Sequence, residues 1–187
     1  MAEKILYEYH ANYFNCIGDI IPIIIGLGMV YVVFFNANQE LGWTKPIFYI
    51  IAGIGGPLLV IFGIGAMYSG VNEANLYKDL LDNGKVYVIE GLVENYHCPP
   101  KSGHDTERFD INGEHFEYSY YEIRNGYHKP ASNGGVITKD GQHLIIKYIE
   151  ETYDEDEEDV IRYPDDGIEG DFPEGENVIL YIAEIKE

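Results

Sequence analysis

Four residues between positions 97 and 107 carry side chains that could bind a metal ion or transfer a proton. They are His97, Cys98, His104 and Glu107. Zinc takes imidazole, thiolate and carboxylate ligands, but its structural sites usually combine two close ligand pairs at set spacings. This segment has a single cysteine, and adjacent residues of a strand point to opposite faces. The segment is therefore a weak metal candidate, and no cofactor is predicted.

His104 and Glu107 could instead form an acid–base pair, because a carboxylate commonly orients a catalytic histidine. The chain has no Gly-x-Ser-x-Gly nucleophile motif to complete such a site. We therefore expect a hydrogen bond that ties this loop to its domain. A membrane-tethered metal-dependent enzyme that uses His97, His104 and Glu107 is the alternative hypothesis.

Four tyrosines are candidate anchors for a protein partner, because each offers a large contact area and a hydroxyl group. They are Tyr118, Tyr120, Tyr121 and Tyr127. The chain has 32 acidic and 12 basic side chains, and its net charge is −20, of which −18 falls in residues 72–187. This charge repels the phosphates of nucleic acids and anionic lipids. The remaining partner class is a protein, with a basic surface that the acidic domain would steer.

Two acidic segments, 150–159 and 165–176, are predicted to be solvated loops. The second has acids at its first, fifth and twelfth positions and a glycine at its sixth, as calcium loops do. However, Gly167 occupies the third position and Pro173 falls within the loop. We expect opportunistic calcium affinity at most.

These residues follow a segment, 17–70, that predicts a transmembrane helical hairpin. Its two apolar spans, 17–35 and 46–68, would be roughly 28 and 34 Å long as helices, against a hydrocarbon core of about 30 Å. Asp19 is the only ionisable residue in either span and suits a helix N-terminus. Residues 1–16 are predicted to be a juxtamembrane segment, and residues 71–84 a connector helix.

Two spans would place both termini on one side of the membrane. The positively charged residues near that side outnumber those at the hairpin tip: Lys4, Lys78 and Lys85 against Lys45. The positive-inside rule then predicts cytoplasmic termini for a multi-pass protein of the bacterial inner membrane. Ala52 and Gly56, four residues apart, would allow close helix approach. That approach would serve either self-association or packing of the hairpin on itself.

Residues 85–187 show the two-residue alternation of strands, with five or six strands in all. The strand candidates are 85–98, 107–111, 115–123, 142–149, 159–163 and 177–185. Asn112-Gly113 predicts a type I′ hairpin turn, and Gly91 a bulge or bend. The predicted fold is α+β, a two-helix transmembrane hairpin followed by a small antiparallel β-barrel (OB-like), with a small sandwich as the alternative. The predicted core is Val86, Val88, Val93, Phe109, Ile111, Phe116, Tyr118, Leu144, Ile146, Tyr148, Ile179 and Tyr181.

Several short motifs in residues 85–149 support a family resemblance. They are Glu90-Gly91-Leu92-Val93-Glu94-Asn95-Tyr96, Gly103-His104, Glu107, Phe109, Gly113, Phe116, Tyr118-Ser119, Gly134-Gly135 and Gly141. With these motifs the segment resembles an uncharacterised family of small bacterial membrane proteins with an OB-like β domain. The chain departs from that pattern at residues 126–130. The resemblance implies a fold and no activity. The architecture is more loosely similar to that of NfeD-type proteins.

Together these patterns predict a membrane-anchored scaffold or interaction module. It would present an acidic β-barrel to a protein partner and would not be an enzyme.

Overall fold

The structure, a computed structural model, describes residues 2–35, 45–101, 105–121, 124–152, 160–164 and 175–186. The chain forms two compact units. Asn12–Asn75 make up the helical unit, and Met1–Ala11 together with Leu76–Glu187 make up the β unit. The N-terminal residues, predicted to be a juxtamembrane segment, therefore belong largely to the β unit.

The helical unit contains a 3-10 helix, Tyr13–Ile17, followed by α1, Ile20–Phe35, and by most of α2, Lys45–Asp82. The predicted connector helix is the continuation of α2. Among the described residues, one helical stretch, Tyr49–Asp82, is long and apolar enough to cross a membrane. With 16 residues, α1 is about 24 Å long and shorter than a typical hydrocarbon core. One helix therefore has the length and composition of the predicted spans, and the two-span hairpin stays a prediction.

Glycines let α1 and α2 approach within backbone contact. A Cβ atom on Gly26 would lie 2.5 Å from the carbonyl oxygen of Gly56, and one on Gly63 would lie 2.6 Å from Cγ1 of Ile23. Such close approach is typical of small residues between membrane helices. Ala52 is also buried. Gly56 therefore serves packing inside the chain, the second of its two predicted uses.

In the described part of the β unit, seven strands form an antiparallel sheet. They are β1 (Ala2–Glu8), β2 (Tyr87–His97), β3 (Glu107–Ile111), β4 (Glu114–Tyr118), β5 (His143–Thr152), β6 (Val160–Arg162) and β7 (Glu176–Lys186). The strand order is β1-β7-β5-β2-β3-β4, with β6 on the free end of β5. The α+β class and the antiparallel sheet are confirmed. The sheet of described strands is open, so a closed barrel is not confirmed.

The N-terminal strand β1 is absent from the sequence-based prediction. It pairs antiparallel with β7, from Ala2 opposite Lys186 to Glu8 opposite Tyr181. The hydroxyl group of Tyr181 also donates a hydrogen bond to Oε1 of Glu3 at 2.6 Å. One edge of the sheet is therefore formed by residues that precede the helical unit.

The β3–β4 hairpin turns at Asn112-Gly113, as predicted. The φ angles there are +51° and +88°, which a type I′ turn requires. Gly91 is needed for a different reason than the predicted bulge. A Cβ atom on Gly91 would lie 2.8 Å from Nδ2 of Asn112, which donates to the carbonyl oxygen of Glu90. The absence of a side chain at Gly91 thus leaves room for the hairpin turn.

The irregularity in β2 lies at Asn95, which has a φ of +53°. The β2–β5 register is continuous through Gly91, whereas the β2–β3 register shifts between Glu94 and His97. Without a bulge at Gly91, the inward positions of β2 are odd-numbered up to Val93. Val88, predicted to be buried, is therefore 61% exposed.

The sheet has one core cluster on each face. All of the predicted core residues except Val88 are buried, and most of them form the first cluster with Tyr127, Ile137 and Ile182. The second cluster joins the sheet to the last turns of α2. Its members are Tyr9, Tyr77, Leu80, Val86, Ile149, Val178 and Leu180.

Candidate functional site

A surface pocket lies beside the end of β4. Its volume is about 500 Å³, and it is lined by Lys101, Tyr120, Tyr121, Ser132, Asn133 and Gly134. Tyr120 and Tyr121 are each 54% exposed. Their rings meet edge to face with centroids 6.0 Å apart. The pocket therefore offers two accessible aromatic surfaces beside polar side chains.

The first wall of the pocket is built on a 3-10 helix, Ala131–Asn133, and the second wall carries Tyr120 and Tyr121. The carbonyl oxygen of Pro130 accepts hydrogen bonds from Asn133 N and Gly135 N, both at 2.9 Å. Gly135 leaves no room for a side chain, because a Cβ atom there would lie 2.0 Å from the carbonyl oxygen of Lys129. These contacts give the wall a compact shape of its own.

A buried carboxylate, that of Glu107, contacts two residues close in sequence to the pocket lining. Its side chain is fully buried. Oε1 accepts from the Tyr118 hydroxyl group at 2.5 Å, and Oε2 accepts from Ala131 N at 2.7 Å. The Tyr96 hydroxyl group lies 3.1 Å from both Oε2 and the carbonyl oxygen of Ile137. Burial raises the pKa of Glu107, although the hydrogen bonds from Tyr118 and Ala131 oppose the rise.

Two of the four tyrosines predicted to anchor a partner are buried. Tyr118 is 3% and Tyr127 7% exposed, and their rings contact each other edge on at 5.3 Å. Oη of Tyr127 accepts a hydrogen bond from Val136 N at 2.7 Å. Burial raises the pKa of Tyr127 to about 12, and that of Tyr118 well above its usual range. Both are neutral core residues in this fold, whereas Tyr120 and Tyr121 lie at the surface.

Of the weak metal candidates, the structure brings Glu107 and Cys98 together, whereas His97 contacts a different residue. Nε2 of His97 lies 2.7 Å from Oδ2 of Asp105, and this contact lowers the pKa of Asp105. Glu107 accepts hydrogen bonds from tyrosine hydroxyl groups and also interacts with Cys98. Cys98 is exposed, and His104 lies outside the described residues. Throughout the described ranges, no group of three or more His, Cys, Asp or Glu side chains is arranged to hold a metal ion. The metal-enzyme alternative, which includes His104, therefore stays a prediction.

The role of Glu107 was missed, although the sequence contains a signal for it. In β3, Glu107 alternates with Phe109 and Ile111, so that all three share the core face. A carboxylate at an inward position requires hydrogen-bond donors. Ser132 and Asn133 carry no comparable signal, because a loop is brought to the pocket by tertiary contacts alone.

Most residues of the two predicted acidic loops lie outside the residues that the structure describes. Residues 153–159 and 165–174 are not among the described residues. The question of calcium affinity therefore stays a prediction. The resemblance over residues 85–149 also stays a prediction, since no protein family, curated protein or solved structure matches the chain.

Proposed function

We propose that the chain is a membrane-anchored interaction module whose β unit binds a protein partner at the pocket beside Tyr120 and Tyr121, without catalysis. The observation that carries this proposal is the pair of half-exposed tyrosines on the rim of a pocket of about 500 Å³. Tyrosine is enriched at the energetic centres of interfaces, because it buries a large area with few rotatable bonds.

The negative charge of the β unit favours a partner that has a basic surface around the segment it inserts into the pocket. Residues 72–187 carry a net charge of −18, which would attract such a surface over long range. The lining itself contains Lys101 and, among the described residues, no acidic side chain. Long-range attraction and local contact would thus be supplied by different parts of the β unit.

The connectivity of the sheet supports an anchor of two spans. Strand β1 precedes α1, and strands β2 to β7 follow α2. Strand β1 nevertheless pairs with β7. Strands of one sheet lie on the same side of a bilayer, so the chain between them crosses an even number of times. If α2 crosses, α1 must cross as well. The exposed apolar side chains of both helices suit lipid: Ile24, Ile25, Phe34, Leu58, Ile61 and Phe62.

In this proposal the membrane is the bacterial inner membrane, and the β unit is on its cytoplasmic side. We expect the full chain to stay in the membrane pellet after an alkaline carbonate wash. A phosphatase fused after residue 187 should be inactive, whereas a fluorescent protein at the same point should fluoresce. Release by carbonate would exclude the membrane anchor. An active phosphatase would show that the β unit lies on the opposite side of the membrane.

Partner binding is tested by capture with the detergent-solubilised full chain on beads. A protein retained from solubilised membranes should be reduced about tenfold or more when Tyr120 and Tyr121 are both replaced by serine. The matched control replaces Val88 and Leu92 by serine, because these residues are exposed and apolar on the same unit. Equal retention by the tyrosine variant, or equal loss in the control, would contradict the assignment of the pocket.

A further inference from the structure

Resting on the proposed function, we infer that Glu107 is the positioning residue of the pocket, because its carboxylate joins the bases of both pocket walls. The residue lies in β3, outside the pocket lining. Its two oxygens accept hydrogen bonds from two segments that continue directly into that lining.

The first wall is held through Ala131. Its backbone N–H donates to Oε2 of Glu107 at 2.7 Å, and the next two residues, Ser132 and Asn133, line the pocket. The preceding residue, Pro130, provides no side-chain cap for this 3-10 helix. Glu107 therefore supplies the acceptor that a capping side chain would otherwise supply.

The second wall is held through Tyr118. Its hydroxyl group donates to Oε1 of Glu107 at 2.5 Å, and Tyr120 follows two residues later on the pocket rim. Hydrogen bonds to an ionised carboxylate are about twice as strong as those between neutral groups. One side chain thus sets the distance between the tyrosine pair and the 3-10 helix.

The groups around Glu107 determine how much its ionised carboxylate disfavours the folded state. The titratable groups that face it from the described elements are Tyr96 and Cys98 at the end of β2, Tyr118 on β4 and Tyr127 in the following loop. No described lysine, arginine or histidine pairs with it. A buried carboxylate without a cation disfavours the folded state, so Glu107 depends on the same hydrogen bonds that join it to the pocket walls.

The test is hydrogen exchange of the detergent-solubilised full chain, which needs no partner. Glu107→Gln removes the charge and leaves one acceptor oxygen for the donors Tyr96, Tyr118 and Ala131. Amides of residues 131–135 should exchange about tenfold faster or more, while those of β5 and β7 keep their rates. The control is Glu94→Gln, which neutralises an exposed carboxylate on β2 and should leave the loop unchanged.

A pH series separates positioning from general stability. After correction for intrinsic exchange, loop amides of the natural chain should exchange faster as falling pH protonates Glu107, whereas those of Glu107→Gln should not respond. If Glu107→Gln does not fold, hydrogen exchange of Tyr118→Phe tests the link between Glu107 and the second wall. Unchanged loop exchange in a folded Glu107→Gln chain would overturn the inference. Failure to capture any partner with the natural chain would instead overturn the proposed function.

Discussion

Replacing Phe109 by alanine is expected to lower the free energy of unfolding of the β unit by about 3–5 kcal/mol. Phe109 is fully buried in β3, and its ring stacks on Phe116 with centroids 5.2 Å apart. It also contacts Tyr118 edge on at 6.4 Å. Removing the ring leaves a cavity between two strands that also carry Glu107 and Tyr118. The shift is measured by urea denaturation, followed by the near-ultraviolet circular dichroism of the tyrosines.

The matched control for Phe109 is Leu92→Ala. Leu92 is 50% exposed on the neighbouring strand β2, so its truncation removes little buried area and should cost less than about 1 kcal/mol. Equal destabilisation by the two variants would contradict the core position of Phe109. A loss below 1 kcal/mol for Phe109→Ala would contradict it as well.

Tyr118→Phe is expected to destabilise the β unit by about 1.5–3 kcal/mol at neutral pH, because it removes a donor from a buried carboxylate. The effect depends on pH. Burial raises the pKa of Glu107 in the folded state. At pH values below the ordinary pKa of a glutamate, Glu107 is neutral in both the folded and the unfolded state, and its contribution to stability is largest. This contribution is lost as the pH rises through the folded-state pKa.

Without the Tyr118 hydroxyl group, the folded-state pKa of Glu107 rises further. The difference in unfolding free energy between the natural chain and Tyr118→Phe should therefore be largest above both folded-state pKa values. It should shrink as the pH falls toward the ordinary range of a glutamate. The measurement is urea denaturation of both chains at a series of pH values. A difference that is constant with pH would show that the hydroxyl group does not act through Glu107.

Local patterns predicted much of the β unit. Alternation placed six of the seven described strands, and Asn112-Gly113 located the hairpin, because both signals act within a few residues. The bulge was misplaced because Gly91 and Asn95 each accept an irregular backbone. The structure shows that Asn95 has the irregular backbone, whereas Gly91 leaves room for the turn between β3 and β4. β1 was missed because its stability comes from pairing with a strand at the other end of the chain.

The candidate site was less predictable than the fold. All four candidate tyrosines were chosen from residue type alone, but Tyr120 and Tyr121 are exposed whereas Tyr118 and Tyr127 are buried. Only their positions in the sheet and the following loop distinguish the two pairs. The link from Glu107 to Ala131 spans 24 residues and depends on tertiary structure. A pattern in the sequence can place Glu107 inward, but it does not identify the donors.

The pairing of β1 with β7 sets an order of events during synthesis. Glu3 and Tyr181, which touch across this edge, are separated by 178 residues. A ribosome adds about 5–20 residues per second, so roughly 10 to 35 s pass between the appearance of the two residues. During that interval the helical segments emerge, while the first strand has no neighbour. This edge of the sheet is completed only when β7 has been synthesised, and β1 must stay accessible until then.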